Sequence, residues 1–314
     1  AERKDLPPSN QIWQYKVLGT AVGFVGLILF LIAFGSLLLE TSFFRALKDK
    51  LPEYKGLVGG RWWIFAILTT LIGPLTLYKL FLYFFMRDYF HLQGITTGFV
   101  GWLLVVGLIT IALLIGGYYA FGRKNGVTGV SYGLTWEEKG LDYRKIGRSL
   151  LLALIVVVTG YFLLWLINSW LLVDFRFWVL TLKVTDLDHL FIMLAYLIPV
   201  ALYFIPLSVT LHGTLRPKNG EVSVAQEIII NVFILLIGLL GLLAYYYVPL
   251  TFFGAPANFG PGGLGLINAI ALIGLLPVVA SISTFFYRKT GHVYVGAFIN
   301  TFFITWYQIG RASC

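Results

Sequence analysis

Residues 17–39 read "VLGTAVGFVGLILFLIAFGSLLL", with Lys16 on one side and Glu40 on the other. A helix needs about 20 apolar residues to cross the roughly 30 Å hydrocarbon core of a bilayer, and this uncharged run is long enough. Lipid offers the backbone no hydrogen bonds, so a spanning segment must satisfy its own N–H and C=O groups, and a single run does that as a helix. Seven further runs of this kind lie at 62–86, 95–121, 148–172, 189–211, 225–248, 263–286 and 292–309. The last is short, and the fifth carries Pro199 and Pro206. An outer-membrane barrel would instead alternate in hydrophobicity over segments of about ten residues, a pattern the chain does not have. The expected fold is all-α, a polytopic transmembrane bundle of about eight helices.

Composition points the same way. Of 314 residues, 59% are hydrophobic and 12% charged, against about 25% charged in a typical soluble domain. Too few charges remain to cover a surface facing water. The formal net charge of +9 does not indicate a nucleic-acid partner, because the Lys and Arg residues stand in short connectors between apolar runs. Contact with anionic headgroups and control of topology explain them. The single cysteine, Cys314, excludes an intrachain disulfide and leaves the redox compartment open. Residues 1–16 read as a polar linker, with Pro7-Pro8 disfavouring helix ahead of the first run. The start at Ala1 suggests a removed signal segment or a longer polypeptide. Residues 17–309 form the membrane domain and 310–314 a tail.

Counting Lys and Arg by connector sets the orientation. The segments 40–61, 122–148, 216–218 and 288–289 hold fifteen, and the alternate set, including both chain ends, holds seven. Lys79, inside the second run, has a stem long enough to snorkel to the interface. The positive-inside rule then assigns the richer set, with the loop 122–147, to the cytoplasm and both termini to the outside. The expected location is the plasma membrane, multi-pass. Trp62, Trp63, Trp165, Trp170, Tyr245 to Tyr247, Trp306 and Tyr307 mark helix ends at headgroup level.

Gly129-Val130-Ser131-Tyr132-Gly133 matches G-x-S-x-G, the nucleophile elbow of serine hydrolases. An elbow needs a buried strand before the serine, a helix after it and a sheet beneath. Ser131 is instead preceded by the polar "RKNGVTG" and followed by Leu134, Thr135, Trp136 and two glutamates. Among 34 glycines a chance match is unsurprising, and Ser131 is read as a decoy, leaving no catalytic residue assigned.

Ionisable groups at membrane depth are costly and are functional candidates by default. Glu227 opens the sixth run, where the positive end of the helix dipole favours a carboxylate; capping is the favoured role over a proton relay. Asn168, Asn231, Asn268 and Asn300 lie in or near apolar runs and read as interhelical hydrogen-bond contacts. The densest polar group is 171–190, with Asp174 and Arg176 two apart, then Asp186, Asp188 and His189. Two carboxylates and an imidazole suit a metal or acid/base site. Yet acids directly ahead of an apolar run also suit a helix start, which is the favoured reading. His91 is expected outside, and His212 and His292 inside, so the histidines do not converge. The loop 251–265, rich in Gly and Pro, reads as a connector. No Walker loop, H-E-x-x-H, paired C-x-x-C or clear internal repeat is present, and neither a metal nor a cofactor is expected.

Six stretches carry a resemblance: "NQIWQYKVLG" (10–19), "YGLTW" (132–136), "DFRFWVLTLK" (174–183), "LHGTLRP" (211–217), "INVFILLIGL" (230–239) and "YRKTGHVYVGAFINTFFITW" (287–306). They resemble the multi-helix membrane domain that accompanies α/β-hydrolase-type (peptidase- or esterase-like) domains in some bacterial proteins. The resemblance implies a soluble hydrolase domain ahead of residue 1, carrying its own Ser, Asp and His, with this chain as the membrane portion. "YGLTW" would be the family feature and Ser131 incidental. The expected partners are membrane lipid and a fused or associated hydrolase domain. The expected function is to anchor or orient that domain, with a small-solute transporter or channel as the alternative. A third possibility is an intramembrane lipid enzyme using the segment 174–189. The oligomeric state is left open.

Overall fold

The computed structural model describes residues 13–53, most of 55–69, 94–137, 140–171, 187–214, parts of 225–240, and 264–312. It is mostly helical. Six long helices run in chain order: α1 (Trp13–Leu38), α2 (Gly94–Gly117), α3 (Tyr143–Leu171), α4 (Leu187–Val209), α5 (Leu264–Thr290) and α6 (Tyr294–Ala312). Shorter helical stretches lie within 60–69 and 225–240. Among the described residues, four helical spans are long and apolar enough to cross a membrane: Leu18–Leu38, Leu103–Asn125, Tyr143–Ile167 and Leu194–Gly213. Tyr294–Trp306 is apolar but shorter. The architecture is compatible with a multi-pass membrane protein. Of the runs expected from sequence, that at 62–86 is described only to residue 69 and that at 225–248 only in fragments. The loop 251–265 lies outside the described residues apart from its last two.

The helix boundaries differ from the apolar runs for local reasons. α3 starts at Tyr143, five residues ahead of the apolar run, because Asp142 caps it. The Asp142 carboxylate accepts from the backbone N–H groups of Arg144 (3.0 Å) and Lys145 (3.1 Å), satisfying two donors that a helix start leaves open. Arg144, Lys145 and Arg148 are therefore helical and not part of a connector. α1 begins at Trp13, inside the expected linker, and α6 reaches Ala312, inside the expected tail.

What faces outward is apolar. On α1, Leu18, Val22, Leu29 and Leu37 are each more than 60% exposed. Side chains of this kind in such number suit lipid as the solvent. What lies at the centre is α6. Every residue from 290 to 305 is buried, and α3, α4 and α5 all pack on this helix. Its buried face includes Gly296, Ala297, Asn300, Thr301 and Thr305, small and polar residues that let helices approach in a membrane. At Gly296 the approach is close: a Cβ there would stand 2.7 Å from Ser283 Cα on α5.

The basic connectors meet at one end of the bundle. The Asp49 backbone N–H donates to Thr290 O (3.0 Å), and the Val293 N–H to Gly133 O (2.9 Å). The Lys145 ammonium pairs with the Asp49 carboxylate at 2.7 Å. Tyr132 packs against the backbone of Gly213. Thus α1, α2, α4 and α5 finish at this end and α3 and α6 begin there, while Trp13 and Ala312 lie at the other. Within 122–147 a two-stranded antiparallel hairpin forms, β1 (Trp136–Glu137) with β2 (Gly140–Leu141), pairing Trp136 with Leu141. An apolar-run reading has no means of registering strands of two residues.

Candidate functional site: the polar floor of the basic end

Three elements build the floor. The first is the loop carrying Ser131. Val130–Tyr132 is a single 3-10 turn closed by Gly133 at φ +75°. That left-handed geometry suits glycine, and a Cβ at Gly133 would also meet Tyr287 and Val293 at 2.9 Å. Ser131 is buried, and its hydroxyl accepts from the Thr128 N–H (3.3 Å) and lies 3.3 Å from the Thr128 hydroxyl. Its side chain closes a local turn, and its only described neighbours by hydrogen bond are from Thr128.

The second element is the π turn Thr210–Thr214, which continues α4. Such turns widen a helix by one residue and recur at functional sites. Here the turn carries His212 inward. Its ring stacks on Tyr287 of α5, centroids 4.3 Å apart and planes 8° from parallel. His212 Nε2 lies 3.2 Å from the Ser283 hydroxyl, which is 2.9 Å from the Ser208 hydroxyl. All three side chains are buried. The row hydroxyl–hydroxyl–imidazole links α4 to α5, and Gly296 of α6 closes over Ser283.

The third element is the short turn between α5 and α6. His292 is 2% exposed, and neither ring nitrogen has a hydrogen-bond partner. Burial pushes its pKa down to about 4, aided by the Lys145 charge, while the Asp49 and Asp142 carboxylates and the nearby Leu47 backbone act in the opposite sense. The Thr290 hydroxyl donates to the carbonyl of Phe286 at 2.7 Å and lies 3.1 Å from the carbonyl of His292. Gly291, at φ +72°, sits against the backbone of Asp49 and Lys50. Burial also raises the Tyr132 phenol above its usual range.

The residues singled out in the sequence are distributed differently. Asn300 is fully buried on α6, its amide donating to Val279 O of α5 at 2.9 Å while Oδ1 has no partner. The Asn231 amide donates to the Ser281 hydroxyl at 3.0 Å. Both make helix-to-helix contacts. Asp188 and His189 fall in the first turn of α4, which begins at Leu187; their side chains, and Asp174, Arg176, Asp186 and Glu227 altogether, lie outside the described residues. So does His91. Among the described residues, no group of three or more His, Cys, Asp or Glu side chains is placed to hold a metal ion. Sequence reading missed Ser208 and Ser283, which sit inside apolar runs 75 residues apart; no local pattern joins them. The π turn that aims His212 was equally illegible.

Comparison with protein-family models, with curated proteins and with solved structures finds no match to this chain.

Proposed function

We propose that this chain is the membrane domain of an extracytoplasmic α/β-hydrolase-like protein, anchoring and orienting its catalytic module at the outer face of the plasma membrane. The observation that carries the reading is the sorting of the connectors. The basic loops interlock at one end, and both Trp13 and Ala312 stand at the other. With the basic end in the cytoplasm by the positive-inside rule, the polypeptide leading into Trp13 is extracytoplasmic, where a hydrolase module would sit. The reading takes the bundle to have eight crossings: the six long helices with one further crossing at each of the apolar runs 62–86 and 225–248.

The resemblance of six stretches to hydrolase-linked membrane domains supplies the identity of the module. Eight helices exceed what tethering requires, and the filled centre around α6 suits a rigid platform. The test is capture of the native polypeptide through an affinity tag inserted at Gly126, an exposed loop position, followed by intact mass measurement and fluorophosphonate labelling. A fused or copurifying module that reacts with fluorophosphonate is the expected result. Recovery of a polypeptide beginning near residue 1, with no reactive module attached or bound, would overturn it.

A further inference from the structure

At the basic end, Lys55, Gly56, Leu57 and Phe65, the last turn of α2 and the segment that follows it enclose a shallow crevice, with Arg61 at its edge. Leu57, Phe65, Leu114 and Val127 make its apolar floor, with Phe121 as one wall. The Arg61 guanidinium lies over the Phe121 ring, 4.7 Å from its centroid. Arg123 and Lys124 follow in the next turn, and all three cations are exposed. Three cations on this end have acids: Lys48 pairs with Glu40, Lys145 with Asp49 and, at 3.9 Å, Lys55 with Glu53. Among the described residues, Arg61, Arg123 and Lys124 have no carboxylate within 4.0 Å. The level is interfacial: Trp63 and Tyr119 are more than half exposed beside them, as aromatic rings at headgroup depth are.

We propose that this crevice binds the phosphate headgroup of an anionic phospholipid. A guanidinium held over an aromatic ring keeps N–H groups free as a fork suited to phosphate oxygens. Arg123 and Lys124 add charge where a phosphate would otherwise stay with water. The base of the crevice has room for little more than a water, so the first acyl carbons lie along Leu57 and Phe65 and are not engulfed. The site rests on the membrane reading of the bundle and not on the hydrolase module or on which compartment the basic end faces.

The test is native mass spectrometry of the 314-residue chain, released from mild detergent after equilibration with equal phosphatidylglycerol and phosphatidylcholine. The wild type is expected to retain phosphatidylglycerol preferentially. Arg61→Gln, Arg123→Gln and Lys124→Gln together should lower that retention by about tenfold or more, given the usual contribution of each juxtamembrane cation. Lys50→Gln, Arg144→Gln and Lys289→Gln, which remove equal charge from the same end, should leave it nearly unchanged. Arg61→Gln alone should show the trend if the triple variant does not fold. Equal loss in both triple variants, no lipid preference in the wild type, or displacement of the lipid by glycerol phosphate at equal concentration would overturn the site. A wild-type chain that stays monodisperse without detergent would instead overturn the membrane reading beneath it.

Discussion

His292 is held neutral by the desolvation of an imidazole that burial leaves without a hydrogen-bond partner. Its pKa in the folded chain, about 4, lies below the ordinary 6.5, so the unfolded chain binds more protons between those values. Its contribution to stability is therefore full above pH 6.5, declines as pH falls toward 4, and is constant below. The loss is on the order of 3 kcal/mol. Thermal unfolding in detergent across pH 4–7.5 should show this decline in the wild type and a flatter profile in His292→Leu; parallel profiles would contradict the assignment. Ser131→Ala removes the two contacts of its hydroxyl to Thr128, so it should cost about 1 kcal/mol or less. Its fluorophosphonate reactivity should match that of the wild-type chain, and a serine-dependent label lost in this variant would reinstate the elbow. The sequence reading of Ser131 rests on the polar residues around it; the fold adds the Thr128 contacts of its hydroxyl.

At the scale of helices, apolar length located α1, α2, α3 and α4 well, because lipid leaves so few alternatives. It misjudged their ends, since ends are set by capping chemistry that hydropathy ignores. Asp142 is the clear instance: replacing it with Ala should destabilise the start of α3 by about 1 kcal/mol, read as faster amide exchange at Arg144 and Lys145. Unchanged exchange there would rule out the cap. The shortest and most polar run became the centre of the bundle, and its Gly296 meets the α5 backbone closely. Gly296→Ala pushes a methyl toward the Ser283 backbone, so α5 and α6 must separate. A loss of about 1–3 kcal/mol is expected from such overpacking, with the Ser208–Ser283–His212 row disrupted alongside. Gly26→Ala, where a Cβ meets open space, should be close to neutral in the same assay; equal effects would contradict the packing of α6.

Across the whole molecule, described parts of the alternate connectors gather at one end of the bundle; which side of the membrane that end faces is an expectation from the count of Lys and Arg by connector. That count did not anticipate how firmly the connectors knit, through Asp49 to Thr290, Lys145 to Asp49, and Gly133 to Val293. Those bonds join positions far apart in the chain and leave no local mark. From Tyr143 to Trp165, exposed aromatics near the two ends of α3, the rise is about 33 Å at 1.5 Å per residue, which matches a hydrocarbon core of roughly 30 Å. Cys314 is the only cysteine, so sidedness can be read with single-cysteine chains. In intact cells, a membrane-impermeant maleimide should label the native Cys314, and should reach Lys124→Cys or Arg144→Cys, each in a Cys314→Ser background, only after the membrane is opened. Labelling of position 124 or 144 from the external medium, or of 124 and 314 from the same side, would contradict the topology on which the extracytoplasmic module depends.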